Sequence, residues 1–278
     1  MRRIFSDEKT DEAFRRYGYV VRPLMTADEV GRMLAFFEET STPALAGFHG
    51  TMYHGDAEYR RRIDAVLRPT VQEAILRVLV DYRPCTCNFM VKEPVDEGSE
   101  LPLHQDWSFV REPEERSVHV WCPLVDVDHE NGNLAVVPGS HHLSDPIRAF
   151  ADDCPFREQF DRIREKYLLE LPMKAGEAVF FDGRLVHSSP PNRSGRRRIT
   201  MQAITVPKES TLHHGWRISP TQVELFQVDD EFFFDYVLHQ PPKGAPSAGV
   251  VDYTVRQLTA EEVDSLAPFL EGAPLAAC

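Results

Sequence analysis

After Pro84 the chain is written in short β-rich runs bounded by turn residues: Thr86 to Lys92, Ser117 to Val125, Leu134 to Val137, Glu177 to Phe181 and Ile199 to Val206. Runs this short cannot bury a face alone and must pair. A series of them behind a helical start predicts a sandwich or barrel with helices on one side. The expected fold class is therefore mainly β with helical support (α+β). Asn131-Gly132, between Val125 and Leu134, reads as a β-hairpin turn, because both central residues of a type I′ turn need positive φ. Phe156 to Lys166 reads as a helix inserted among the strands.

The helical start is legible from its caps. Thr26-Ala27-Asp28-Glu29 is a capping box, and Val30, Met33, Leu34 and Phe37 follow at the i, i+3, i+4, i+7 spacing, so this helix should turn one face to a core. Ahead of it, Tyr17-Gly18-Tyr19-Val20-Val21-Arg22-Pro23 predicts a short strand stopped at proline. Between Tyr59 and Val80, the positions Ile63, Val66, Leu67, Val71, Ile75, Leu76 and Leu79 predict further helix, interrupted or kinked near Pro69.

A chain of 278 residues with 42% hydrophobic and 27% charged content suits one extensive globular core. No Gly/Ser-rich linker, composition break or internal repeat divides it before Pro241-Pro242. The expectation is one domain over 1–278, with 241–278 as a C-terminal extension. The net charge of −13 gives no general electrostatic support to a nucleic-acid or anionic-membrane partner. In the basic run Arg196-Arg197-Arg198, the first two residues read as a solvated turn entering a strand. Five scattered cysteines make neither a disulfide framework nor a C-x-x-C pair, which fits a reducing compartment. Cys85 and Cys87 alternate along a strand and read as small core thiols. Met1-Arg2-Arg3 is followed by charged residues in place of an apolar run, and no window approaches a membrane span. Ala276-Ala277-Cys278 carries neither a peroxisomal nor a prenylation signal, so cytoplasmic residence is expected.

The chemistry is concentrated in a divided motif, His104-Gln105-Asp106 and, on a separate segment, His187. Two imidazoles and one carboxylate are what a mononuclear Fe(II) oxygenase uses to hold iron by one face, leaving the opposite positions open. Residues i and i+2 of an extended strand project from the same side, so His104 and Asp106 can bite one ion while Gln105 points elsewhere. His187 would complete the set from a neighbouring strand after the turn at Asp182-Gly183-Arg184. H-x-D by itself is a weak signal in a chain with 11 histidines, each of which reads equally as a surface or hydrogen-bonded core residue.

The flanking segments occur in a fixed order: Leu101-Pro102-Leu103-His104-Gln105-Asp106-Trp107, then Val120-Trp121-Cys122-Pro123-Leu124, then Asn131 through Pro138-Gly139-Ser140-His141. Gly176-Glu177-Ala178-Val179-Phe180-Phe181-Asp182-Gly183-Arg184-Leu185-Val186-His187-Ser188-Ser189 follows, ahead of Arg198. As an ordered set, from Phe14-Arg15-Arg16-Tyr17-Gly18-Tyr19 to about Val206, this resembles the phytanoyl-CoA dioxygenase (PhyH-like) family of Fe(II)/2-oxoglutarate-dependent oxygenases. The resemblance implies a double-stranded β-helix (jelly-roll, cupin-like) core, with Fe(II), the cosubstrate 2-oxoglutarate and O2 as the reaction's requirements. It implies His104, Asp106 and His187 as iron ligands and Arg198 as partner of the distal carboxylate of 2-oxoglutarate, a task suited to a planar guanidinium fork. Thr200 and Gln202 share Arg198's side of the strand and either assist it or are polar core or rim residues. Trp121 matches an aromatic position near the cosubstrate in the family and Ser189 a small polar one, although an inward tryptophan serves equally as core packing. His141 and His142 belong to a structural turn and read as non-ligands, and His129, His213, His214 and His239 have no spacing argument behind them.

The implied reaction is hydroxylation of a small-molecule substrate, such as an amino acid or natural-product intermediate, with release of succinate and CO2. In related halogenases a small residue replaces the carboxylate so that chloride can enter; Asp106 keeps it, which favours hydroxylation, with desaturation, epoxidation or ring chemistry open. The acidic chain has no evident cradle for CoA phosphates, which favours a small metabolite over an acyl-CoA or lipid. Two readings of other classes compete: a zinc hydrolase, which would need the same three ligands but not Arg198, and a non-catalytic jelly-roll binding protein. Candidate pocket and lid segments are Phe48 to Arg62, Trp107 to Arg111 and His213-His214-Gly215-Trp216-Arg217. In the tail, Thr259-Ala260-Glu261-Glu262 is a second capping box opening a short helix with Val263 and Leu266. The tail should wrap the domain or contact a second subunit, and the oligomeric state stays open.

Overall fold

The computed structural model describes residues 2–41, 47–95, 97–112, 114–143, 147–149, 154–238 and 240–274. Helix α1 (Glu8–Tyr17) is opened by Asp7, whose carboxylate accepts from the Thr10 N–H, and closed by Gly18 at φ +82°. Any side chain at Gly18 would strain that left-handed turn and strike the His141 ring. Helix α2 (Ala27–Thr40) has both halves of the expected capping box, with Thr26 and Glu29 bonded reciprocally. Helix α3 (Ala57–Leu76) starts at an Asp56 cap and runs uninterrupted through Pro69, where the sequence predicts a break or kink. An interior proline, through the lost hydrogen bond and the clash of its ring with the preceding turn, costs about 3 kcal/mol. Ile63, Leu67, Val71 and Ile75 are at most 1% exposed on the same helix, and each such burial returns about 1.5–3 kcal/mol, so packing outweighs the proline.

Six strands form the larger sheet: β1 (Tyr19–Pro23), β2 (Phe48–Gly50), β3 (Tyr82–Lys92), β5 (Val118–Pro123), β8 (Glu177–Asp182) and β10 (Arg198–Pro207), in the order β1-β8-β5-β10-β3-β2. Four more, β4 (Leu101–His104), β6 (Leu134–Val136), β7 (Leu169–Leu171) and β9 (His187–Ser189), form a second sheet in the order β4-β9-β6-β7. Period-two alternation sorts the larger sheet's side chains. Cys87, Phe89 and Val91, Val118 and Val120, and Ile199, Met201 and Ala203 pack against Phe14, Phe37, Ile63, Leu67 and Val71 of the three helices. The opposite face carries Tyr19, Val21, Trp121, Val179 and Phe181, which pack with Leu134, Val136 and Leu171 of the smaller sheet. All pairings are antiparallel. The architecture is the double-stranded β-helix, or jelly roll, buttressed by helices on one side.

The smaller sheet's outer side is covered by α4 (Phe160–Lys166) and by the chain's end. Leu103, Val137 and Val186 pack with Ile163 and with Val263 and Leu266. Beyond β10, β11 (Leu212–Ser219) and β12 (Gln222–Val228) lead through α5 (Phe232–Asp235) to β13 (Ser247–Asp252), which pairs with β12. Helices α6 (Ala260–Asp264), opened by the second capping box, and α7 (Ala267–Leu270) complete the order. Among the described residues no helix is long and apolar enough to cross a membrane.

Two local expectations are corrected. Asn131-Gly132 is not a hairpin turn: β5 pairs with β8 and β10, while β6 pairs with β7 and β9. The segment crosses between the sheets through a turn in which the Asp128 carboxylate accepts from Glu130 and Asn131 N–H and the Asn131 side chain accepts from Asp128 N–H. Only Gly132 of the dipeptide has positive φ, at +84°, so a type I′ turn is excluded. His213 to Arg217, expected as an irregular lid, is regular strand within β11.

Candidate active site

His104 closes β4 and faces His187, the first residue of β9, in the strand register. Asp106 lies just past the end of β4, so the two imidazoles are held by ladder bonds and the carboxylate by the turn beyond. His104, Asp106 and His187 each offer a ligand atom within 4.8 Å of the others. His104 Nδ1–H donates to Pro102 O at 2.8 Å and His187 Nδ1–H to Leu185 O at 2.9 Å. Each bond to a carbonyl two residues back fixes the tautomer, so both Nε2 lone pairs are left for an ion. These atoms lie 3.7 Å and 3.8 Å from the Asp106 carboxylate. Burial holds His187 down to about 4, with the neighbouring His104 acting in the same direction, so the ring is neutral, the form that ligates metal. At Asp106, burial works to raise the pKa, but the imidazoles of His119, His187 and His104 prevail and hold the carboxyl well below the usual range. Two imidazoles with their Nδ1 atoms tied to backbone carbonyls and their Nε2 atoms turned to one ionised carboxylate fit a divalent cation with open positions.

Arg198 begins β10 and is 1% exposed. Its Nη1 donates to Thr200 Oγ1 at 3.0 Å and Met90 O at 3.4 Å, its Nε has no partner, and its guanidinium lies 5.6 Å from the Trp121 ring centroid. Burial alone holds it at about 9. A buried cation without a carboxylate is costly unless an anion completes it, and a dicarboxylate cosubstrate fits that need. Arg198, Trp121, Gln202 and Ser189 line one cavity of about 90 Å³ together with His104, Asp106 and His187. Thr200 supports the arginine, its own hydroxyl donating to Met90 O at 3.2 Å. Ser189 is more committed than the sequence suggests, because its Oγ donates to Gly132 O at 2.9 Å and accepts from Lys92 Nζ at 2.7 Å. Its proton is therefore not free for a carboxylate.

Two residues escaped sequence reasoning. His119 is fully buried on β5, with Nδ1 2.7 Å from Asp106 Oδ2, a close contact without hydrogen-bond alignment that places a third imidazole against the carboxylate. Lys92 ends β3 with no exposure and gives its ammonium protons to Ser189 O, Ser189 Oγ and Pro190 O, tying down the end of β9 beside His187. Burial and then Arg198 push Lys92 down to about 6, with Glu100 acting in the opposite direction. The signal for His119 was present, as it shares the inward parity of Trp121 two residues on, but only the sheet pairing reveals what it faces.

The expected lid segments divide. Phe48, Met52, Tyr53 and Trp107 border the cavity, whereas His214 lies behind Trp107, 2% exposed among Trp107, Phe232 and Tyr236, with Nε2 unpartnered. His141 and His142 sit at carbonyls of Arg15 and Arg16, away from the triad, and His239 lies outside the described residues. Burial pushes His214 down to about 4. An unfolded histidine takes its proton as pH falls below about 6.5, while the folded one resists until about 4, so the stability it contributes is complete above pH 6.5 and is lost as pH falls through that window. Between pH 7.5 and 5 the protein should lose about 2 kcal/mol that a His214→Phe variant keeps. Urea midpoints at the two pH values measure this; equal slopes in both proteins would show that His214 is not held neutral.

A jelly roll whose interior brings two histidines, a carboxylate and a buried arginine to one cavity defines a metal-site oxygenase scaffold of the two-His-one-carboxylate kind. The chain belongs to the phytanoyl-CoA dioxygenase (PhyH) family, whose model matches residues 14–200. That family uses Fe(II), 2-oxoglutarate and O2. The chain is 34% identical to phytanoyl-CoA dioxygenase domain-containing protein 1 of Mus musculus over 147 residues, 50% of this chain and 49% of that protein. To the peroxisomal phytanoyl-CoA dioxygenase of Rattus norvegicus it is 30% identical over 208 residues, 63% of this chain and 60% of that one. It thus spans about half the length of the curated relatives it matches. Among solved structures, the α-ketoglutarate-dependent carbocyclase SnoK from nogalamycin biosynthesis superposes with a TM-score of 0.55 at 20% identity, over 74% of this chain and 86% of that one. The epimerase SnoN, in complex with Fe3+, α-ketoglutarate and nogalamycin RO, gives 0.53 at 21% identity over 92% and 96%. These likenesses establish the shared fold.

Proposed function

We propose that the protein is an Fe(II)/2-oxoglutarate-dependent dioxygenase that hydroxylates a small-molecule substrate and releases succinate and CO2. The observation that carries this reading is that the candidate metal ligands and a buried guanidinium without a carboxylate partner line one cavity. His104, Asp106 and His187 hold the iron, and Arg198, steadied by Thr200, takes the distal carboxylate of 2-oxoglutarate with Trp121 as a wall. Iron, cosubstrate and O2 supply the oxidising power for the C–H bond. The chain's part is positional. The bonds to Pro102 O and Leu185 O aim both Nε2 atoms, His119 lies against the carboxylate, and Met52, Tyr53 and Trp107 restrict water at the mouth. The retained Asp106 favours hydroxylation over halogenation.

The whole chain, 1–278, acts in this reading as one domain, the described part of its extension, 241–274, packed back through β13 on β12 and through Val263 and Leu266 on the smaller sheet. A reducing, cytoplasmic setting is proposed on the free thiols of Cys85, Cys87, Cys122 and Cys154. The test is a metabolite screen for substrate-stimulated succinate formation, with His187→Ala as the blank. Succinate that rises with one compound only in the unaltered protein is the expected result; none with any compound, at full iron occupancy, would sink the reading.

A further inference from the structure

A second cavity, of about 170 Å³, opens beside the first and shares Met52, Tyr53 and Trp107 with it. Its walls are largely apolar, with Phe233, Tyr236 and Leu238 facing that shared boundary, and no Asp or Glu among the described residues lines it. One cation does. Arg60, in the first turn of α3, is 9% exposed and uses Nη1 on Tyr236 O at 3.0 Å and Met52 O at 3.5 Å. Its Nε has no partner, and its Nε–Nη2 edge makes no bond to any described residue. The neighbouring Arg61 behaves differently, pairing with Glu58, Glu231 and Asp235 at the surface. Asp235 and Asp56 act on Arg60 only through space, Asp235 being paired with Arg61, so beside the proposed reaction chamber Arg60 forms no ion pair with any described carboxylate.

If the iron site is as proposed, two charges on Fe(II) and one on Arg198 balance Asp106 and the two carboxylates of 2-oxoglutarate, so that chamber has no surplus anion to pair with Arg60, and Asp235 and Asp56 reach it only through space. A guanidinium edge of this kind pairs bidentately with a carboxylate, and desolvated walls strengthen the pair. An apolar cavity of about 150 Å³ accepts a benzene-sized group, which sets the scale for the substrate's body.

We propose that Arg60 is the substrate's anchor and that the substrate class is an amphiphilic monocarboxylate: a carboxylate on the Arg60 Nε–Nη2 edge, joined to a ring-sized apolar body that passes between Tyr53 and Trp107 toward the triad. This rests on the dioxygenase reading for its reaction but not for its binding, so binding is what the test measures. Phenylacetate, 3-phenylpropionate and 4-phenylbutyrate, each against its primary amide, are titrated calorimetrically into the protein, metal-free and after anaerobic loading with Fe(II) and 2-oxoglutarate. At least one carboxylate should bind tenfold or more tightly than its amide, and Arg60→Gln should erase that preference while Arg60→Lys keeps part of it. Thermal midpoints confirm that the variants fold. Amides that bind as tightly as the acids, acids that do not bind, or a preference that survives in Arg60→Gln would each overturn the proposal. Should Arg60→Gln not fold, the acid-to-amide ratio of the unaltered protein loaded with 2-oxoglutarate, which occupies Arg198, decides, together with its reduction in Arg60→Lys. Acid binding without succinate formation from any compound would count against the dioxygenase reading alone, and succinate formation from uncharged substrates with no acid preference would count against Arg60 alone.

Discussion

A His187→Ala variant should fold yet lose iron, and with it 2-oxoglutarate turnover by a factor of about 10³ or more. The magnitude follows from position: loss of a partner that only orients a ligand typically costs 10–100-fold in metal affinity or activity, and His187 is proposed as a ligand itself. Its ring is neutral and its Nε2 is free because Leu185 O holds Nδ1; His119, the other nearby imidazole, lies with Nδ1 2.7 Å from Asp106 Oδ2 and outside the group of side chains whose ligand atoms converge. Metal analysis of the dialysed protein, paired with succinate formation, measures both halves of the effect. Stoichiometric iron and undiminished turnover in the variant would remove His187 from the ligand set.

Arg198→Met should separate stability from function. Removing one partner of a buried charge pair costs about 3–5 kcal/mol, so the Michaelis constant for 2-oxoglutarate should rise by about 10²–10³ with a smaller change in turnover at saturation. The cosubstrate-free variant should nonetheless be more stable, by about 1–3 kcal/mol, because it no longer buries a cation that lacks a carboxylate. The bonds it gives up, to Thr200 Oγ1 and Met90 O, leave no orphan, since Thr200 Oγ1 donates to Met90 O directly. Urea midpoints without cosubstrate and initial rates across 2-oxoglutarate concentrations supply the two readings. A destabilised variant, or one with an unchanged Michaelis constant, would mean that Arg198 is a structural residue and the cosubstrate's partner lies elsewhere.

How much of this was legible in the sequence depends on the range of the interaction. The caps at Thr26 and Thr259 were readable because they close over three residues. The triad and Arg198 were readable because their residue types carry chemistry and their flanking segments keep a fixed order. Asn131-Gly132 misled because strand neighbours in a jelly roll are non-local: the residues on either side of the turn belong to different sheets. Pro69 does not interrupt its helix, because the burial of one helical face against the sheet outweighs the local penalty. Lys92 and Arg60 carried no local signal, and His119 carried only the inward parity it shares with Trp121. Their roles depend on what is absent around them, whether water or a countercharge, and that is set by residues distant in the chain.

The placement of the three candidate ligands also shapes how such a scaffold can change over evolutionary time. His104 and His187 are register partners in one ladder, so a change at either is felt by the sheet. Asp106 lies beyond the last paired residue of β4, with His119 against it. An exchange at 106 therefore alters the ion's charge and open positions without moving a strand, which makes that position the inexpensive route to a new reaction type, while the paired histidines conserve the ion's location.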